Sequence, residues 1–172
     1  MTEEKKRGRG RPAGAPNKPK LKLITKKQDL LPSADAYEIF CQADIVAKKD
    51  PKLAVQGLQV FNQRNASIKP ILMWVYRDDI QSKLPEGTTP YNENGAPASD
   101  LTETALKFEH KKFQYFVTEQ VPPARRETMW IELLEGIPTM EAKMIDLVKD
   151  GTWPFKNVTK EIAKNAFPED IR

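Results

Sequence analysis

From Pro32 onward, apolar residues recur at helical spacing and are interrupted at intervals by residues that start or stop helices, a pattern few folds other than a helical one can satisfy. Tyr37, Phe40, Cys41 and Ile45 share one face of a segment that opens at Ser33, a good N-cap, and is stopped by Asp50-Pro51. Leu53, Val55, Leu58 and Phe61 line a second segment, which ends near Asn62–Asn65. Ser67 opens a third, with Pro70 tolerated in its first turn and Ile71, Leu72, Trp74 and Val75 behind it, ending between Tyr76 and Lys83. Asp100 or Thr102 then opens what reads as the longest helix, through Leu101, Ala105, Phe108, Phe113, Phe116 and Val117. Pro122-Pro123 starts a helix striped by Met129, Trp130, Leu133 and Leu134, with Gly136 as its stop. Thr139 caps another that carries Met140, Met144, Ile145, Leu147 and Val148 to Gly151, and a last short helix follows Thr159. No set of alternating β-branched segments is present. The expectation is an all-α domain of six to seven helices over 32–172, with Trp74, Trp130 and Trp153 as core anchors.

Residues 84–100 break the pattern with three Pro, two Gly and two Asn, which is loop chemistry. A connection this long is uncommon in a compact domain. It reads either as a contact surface or as a hinge between two helical halves.

Residues 1–31 are of another kind. They hold little but Lys, Arg, Gly, Pro, Ala and Asn, with Leu21, Leu23, Ile24, Leu30 and Leu31 as the apolar exceptions. Too little apolar surface is available there to offset chain entropy, so a disordered basic arm is expected, its 21–24 cluster able to dock on the body. The charge is sharply divided. Residues 1–27 carry ten Lys and Arg against Glu3 and Glu4, a net of +8, whereas the rest of the chain nets −4 and the whole +4. A basic tail on a mildly acidic body attracts polyanions through the tail and leaves the body free for other partners.

Within the arm, Lys5-Lys6-Arg7-Gly8-Arg9-Gly10-Arg11-Pro12, followed by Lys18, Lys20 and Lys22, suits the minor groove of DNA. That groove is about 6 Å wide, which excludes a helix and admits an extended chain. Gly8 and Gly10 let the backbone approach its floor, while Arg9 and Arg11 present guanidinium groups to the adenine N3 and thymine O2 acceptors and the negative potential of narrow A-tracts. Pro12 stiffens the exit. At about 3.3–3.6 Å per extended residue, the four-residue core spans about 13 Å, or some four base-pair steps. The other reading of these residues is a generic polybasic tail for any polyanion, RNA included, or a localisation signal.

The Arg9-Gly10-Arg11-Pro12 core resembles the AT-hook of high-mobility-group chromatin proteins. The resemblance implies AT-rich minor-groove binding by these four residues. Gly8 stands where strong hooks often carry Pro, Ala13 stands where Lys or Arg is commoner, and there is one copy, so the implied affinity is modest. A second resemblance, to an uncharacterised family of small helical proteins of T4-like tailed phages, is carried by Lys69-Pro70-Ile71-Leu72, Leu84-Pro85-Glu86-Gly87, Arg125-Arg126-Glu127-Thr128, Leu133-Leu134-Glu135-Gly136 and Lys149-Asp150-Gly151 with Phe155-Lys156 beyond. It implies a phage origin and hence a bacterial host's cytoplasm.

Elsewhere the bland readings prevail. His110 is the sole histidine, without the partners a general base needs, and Cys41 reads as a small buried hydrophobe that can form no internal disulfide. Asp78-Asp79 and Glu132/Glu135 lack a metal-loop spacing. Arg125-Arg126 is odder, since cations at a helix N-terminus oppose its dipole; they read as a second phosphate contact or as salt-bridge partners of acids in the body. No run approaches the roughly 18 apolar residues a membrane helix needs, and no apolar stretch follows the charged N-terminus as in a secretory signal. A cytoplasmic, non-enzymatic accessory protein that binds AT-rich DNA is therefore expected, without cofactor, metal, membrane or small-molecule substrate. The alternatives are a protein–protein adaptor in replication, transcription or packaging, and a nuclease built on scattered carboxylates.

Overall fold

The computed structural model describes residues 21–95 and 101–172, and every regular element among them is helical. The first three helices are α1 (Ala36–Lys49), α2 (Pro51–Arg64) and α3 (Ile68–Tyr76). After the 84–100 connection come two short helices, α4 (Leu106–Glu109) and α5 (Phe113–Val117), bridged by a 3₁₀ turn at His110–Lys112. The chain closes with α6 (Pro123–Gly136), α7 (Thr139–Lys149) and α8 (Lys160–Ala166).

Local chemistry sets most of these boundaries. The backbone N–H of Asp50 donates to the Val46 carbonyl at 2.8 Å and ends α1, while its carboxylate accepts from Leu53 N–H at 3.2 Å and starts α2, with Pro51 in the first position where its missing N–H costs nothing. Thr159 caps α8 through Ile162 N–H at 3.4 Å. Past α7, Gly151 takes φ +74°, and its N–H bonds to Val148 while Thr152 bonds back to Leu147, the reversal a glycine makes without Cβ strain. Three expected caps fall elsewhere, among them Thr139, which is the first residue of α7 behind Pro138 at the cap. The carboxylate of Asp35, not Ser33, accepts from Glu38 N–H at 2.8 Å, and the Ser67 hydroxyl turns to Asn65 rather than into α3.

Helix α7 runs through the middle of the core, packed against α1, α3 and α6, and is buried almost all round. On one side, Phe40, Trp153 and Phe155 interlock with Tyr37 and Tyr76. On the other, Trp74, Phe113, Phe116 and Trp130 pack edge to face, with Trp130 and Phe116 centroids 4.9 Å apart. Trp74 and Trp130 are thus core anchors, and half-buried Trp153 closes the first cluster.

Three expectations are corrected. The long helix from 100 or 102 does not form: Leu101 and Phe108, the residues that seemed to start its stripe, are 64% and 67% exposed. The buried period instead runs Leu106, Phe113, Phe116, interrupted by the 3₁₀ turn, so the apparent stripe joined residues of two faces. The 21–24 cluster docks on the body as expected, but the contact runs on to Leu30, so this stretch of the expected arm lies on the body with Leu21, Leu23, Ile24 and Leu30 against the core. Finally, residues 84–95 are no hinge. They lie across α6 and α7 as a strap held by side-chain hydrogen bonds, and residues 96–100 fall outside the described chain.

Candidate functional site

The residues expected to bind DNA, Lys5, Lys6, Arg7, Gly8, Arg9, Gly10, Arg11, Pro12, Lys18 and Lys20, all lie outside the described residues. What the structure fixes is the point from which they depart. The Tyr37 hydroxyl donates to the Lys22 carbonyl, and Gln42 donates to the Lys26 carbonyl at 3.1 Å while accepting from Gln28 N–H at 2.9 Å. Nine residue steps separate Pro12 from Leu21 and twelve separate Arg9 from it, spans of at most about 30–32 Å and 40–43 Å at full extension. Leu21 borders a cleft of about 420 Å³ between the strap and α7, lined also by Thr89, Tyr91, Glu93, Lys143 and Asp146.

That face is built by charged side chains which α7 turns toward the strap. Asp146 accepts from Thr89 N–H at 3.0 Å, from the Thr89 hydroxyl, and from the Trp130 indole N–H at 3.3 Å. One turn on, the buried Lys149 ammonium donates to the Pro85 and Gly87 carbonyls, both at 2.8 Å, and to Asp150 at 2.7 Å. Glu135 accepts from Asn92 N–H at 3.0 Å, and Thr139 donates to the Asn94 carbonyl at 3.3 Å. Each charge is thus compensated by a partner on the strap, the condition for burying it at tolerable cost.

Behind α7 sits a second polar group. Glu141 is fully buried, and its two oxygens accept from Ala36 N–H at 2.9 Å and Leu106 N–H at 3.1 Å, so one carboxyl caps the first residues of α1 and α4 together. Burial, reinforced by the neighbouring charge of Asp35, pushes Glu141 up to about 8, and burial pushes Asp35 up to about 6. The sequence contains signs of these groups: Glu141 and Lys149 fall on the same face as Ala142, Ile145 and Val148, where a charge needs a partner. What the partner is cannot be read locally.

Arg125 and Arg126 separate. Arg125 is exposed, whereas Arg126 is buried and its guanidinium donates to the carbonyls of Tyr115 at 3.1 Å, Lys83 at 3.2 Å and Val121 at 3.0 Å. The expected phosphate contact and the expected salt bridge are both overturned for Arg126, because its donors are spent tying α5 to the segments at Lys83 and Val121. The remaining candidates stay structural. Asp79 pairs with Arg77 at 2.6 Å, and no cluster of three His, Cys, Asp or Glu suited to a metal occurs among the described residues. Cys41 is buried, which pushes its thiol up, and half-buried His110 is pulled down by burial and by Lys111. No helix among the described residues is long and apolar enough to cross a membrane.

No curated protein and no solved structure matches the chain. Residues 44–154, from the middle of α1 to just past α7, match a protein family. They take in the strap, the Arg126 clamp and Glu141 with its Leu106 partner, and leave out the arm with its docked segment, Ala36 and α8. The chain therefore belongs to DUF6433, a family of unknown function.

Proposed function

We propose that this protein is a non-enzymatic accessory DNA-binding protein, in which the basic N-terminal segment engages the minor groove of AT-rich duplex and holds the helical body beside it. The observation that carries the reading is the placement of Arg9-Gly10-Arg11-Pro12 in a segment holding seven Lys and Arg against two Glu over residues 1–20, joined to a body of 21 basic and 22 acidic residues. The attraction for a polyanion is concentrated in the arm. Docking of Leu21 beside the strap keeps the body within about 40–43 Å of the hook's far end at Arg9. The resemblance to proteins of T4-like phages extends the proposal to action on DNA in a bacterial cytoplasm.

Binding of the full chain, a chain lacking residues 1–20 and an Arg9→Ala/Arg11→Ala variant to AT-rich duplex, GC-rich duplex and RNA, at two salt concentrations, tests this directly. The full chain prefers AT-rich duplex, with log K falling against log salt at a slope of about −4.5 if about five phosphates are neutralised. The double variant loses the preference. An unchanged preference in that variant, or equal binding of RNA and both duplexes by the full chain, would overturn the proposal. The rival is an adaptor whose rigid strap face captures a replication, transcription or packaging protein; partner capture that survives removal of residues 1–20 favours it.

A further inference from the structure

We propose that the groove between α1 and α2 is an interface with a second copy of this chain, whose α2 lies antiparallel and crosses at Gly57. The groove measures about 420 Å³ and is walled by Ile39, Ala43 and Val46 of α1, by Leu53 and Val60 of α2, and by Leu30 of the docked segment. Gln42 fixes that third wall through its two hydrogen bonds to residues 26 and 28. Ala54 and Leu58 are the residues α2 sends into the core. Leu53, Gly57, Val60 and Arg64 form a separate stripe at intervals of four, three and four, on which Leu53 and Val60 are 48% and 52% exposed.

Gly57 is the telling residue. A glycine inside a helix is less favourable than any residue but proline, a cost usually tolerated where another part of the fold presses against the backbone. Here a Cβ would meet nothing within 4 Å. The fold itself gives no reason for the missing side chain. A helix crossing over position 57 does, because a glycine lets two backbones come closer than the usual 8–10 Å between packed helices.

The identity of the occupant follows from self-complementarity. An antiparallel crossing at Gly57 sets the exposed stripe against its own copy: Val60 lies close to the level of Leu53 of the partner subunit, and exposed Arg64 lies opposite Asp50 of the partner subunit. The two-fold repeats each of these contacts, so both ends of the crossing carry an Arg–Asp pair about 10 Å from its centre. Neither Arg64 nor Asp50 makes an ion pair within its own chain among the described residues. The interface does not depend on the DNA-binding reading, and its test uses no nucleic acid.

Sedimentation equilibrium of the full chain over a concentration series decides the matter, alongside Val60→Glu, Arg64→Glu and Gly57→Ala. The unaltered chain shows a monomer–dimer equilibrium. Val60→Glu and Arg64→Glu weaken the dimer roughly tenfold or more, as an unpaired charge at a helix contact does, while helical content and melting of dilute protein stay unchanged. Gly57→Ala separates interface from fold by moving two readouts in opposite directions: it raises the melting temperature of dilute monomer and weakens the dimer. A chain that remains monomeric throughout overturns the proposal, as does a dimer indifferent to Val60→Glu and Arg64→Glu. A monomer whose groove resonances shift on adding an amphipathic helical peptide overturns it in favour of another protein as occupant.

Discussion

Glu141 shows how one side chain can hold distant parts of this fold together. Its oxygens satisfy the first N–H groups of α1 and α4, which lie 105 and 35 residues away in sequence. With its folded value raised to about 8 from an ordinary 4.5, the folded protein binds more protons than the unfolded chain between those limits. Stability must therefore fall as pH rises from about 4.5 to about 8, with Asp35 contributing the lower part of the window up to about 6. Urea unfolding at about pH 5 and pH 8 checks this in the parent chain and in Glu141→Gln. The glutamine has one oxygen for two donors, so the variant is less stable by about 1–3 kcal/mol at the lower pH, yet its stability depends less on pH. A variant with the parent's full pH slope would show that Glu141 is not the titrating group. Arg126→Lys makes a separate point: a single ammonium cannot serve three carbonyls spread over α5 and two loops, and a loss of about 1–3 kcal/mol is expected in thermal or urea melts. Lost DNA affinity with unchanged stability would return Arg126 to the phosphate-contact role.

At the scale of elements, the strap explains why α7 can be buried on nearly every side while carrying Asp146 and Lys149. A helix with such a face ordinarily turns it to water. Here, Thr89, Pro85 and Gly87 supply the hydrogen bonds that water would make. Lys149→Met should release the Pro85 and Gly87 carbonyls and speed amide exchange at Gly87, Thr89 and Asn92 by roughly tenfold to a hundredfold, the equivalent of about 1.5–3 kcal/mol of charge-assisted hydrogen bonding. Amides within α3 and α6 should keep their protection. Uniform loss of protection across the domain would mean that Lys149 supports the core rather than the strap. Helices α2, α6 and α8 were legible from caps and prolines because those signals act within one turn. The stretch from 100 to 117 was not, because Leu101 and Phe108 mimic a period whose buried members are Leu106, Phe113 and Phe116.

For the whole molecule, the body takes in residues 21–30 as well as the helices, and this has a measurable consequence. Removing residues 1–20 should leave the melting temperature unchanged. Removing 1–31 should lower stability by about 2–4 kcal/mol, since Leu21, Leu23, Ile24 and Leu30 each lose a partly buried apolar contact worth about 1 kcal/mol or less. Equal melting of the two truncations would show that the docked segment adds nothing to the fold. The sequence alone determined the all-helical class, the segregation of charge into the arm and the Arg-Gly-Arg-Pro core, because each is a property of neighbouring residues: a period, a net charge, a four-residue motif. Only the tertiary structure decided that the 84–95 connection is a strap, that Arg126 is a clamp inside the body and that Glu141 joins two helix starts. Those roles depend on which distant backbone groups meet a side chain once the chain has closed on itself, and no local pattern encodes that meeting.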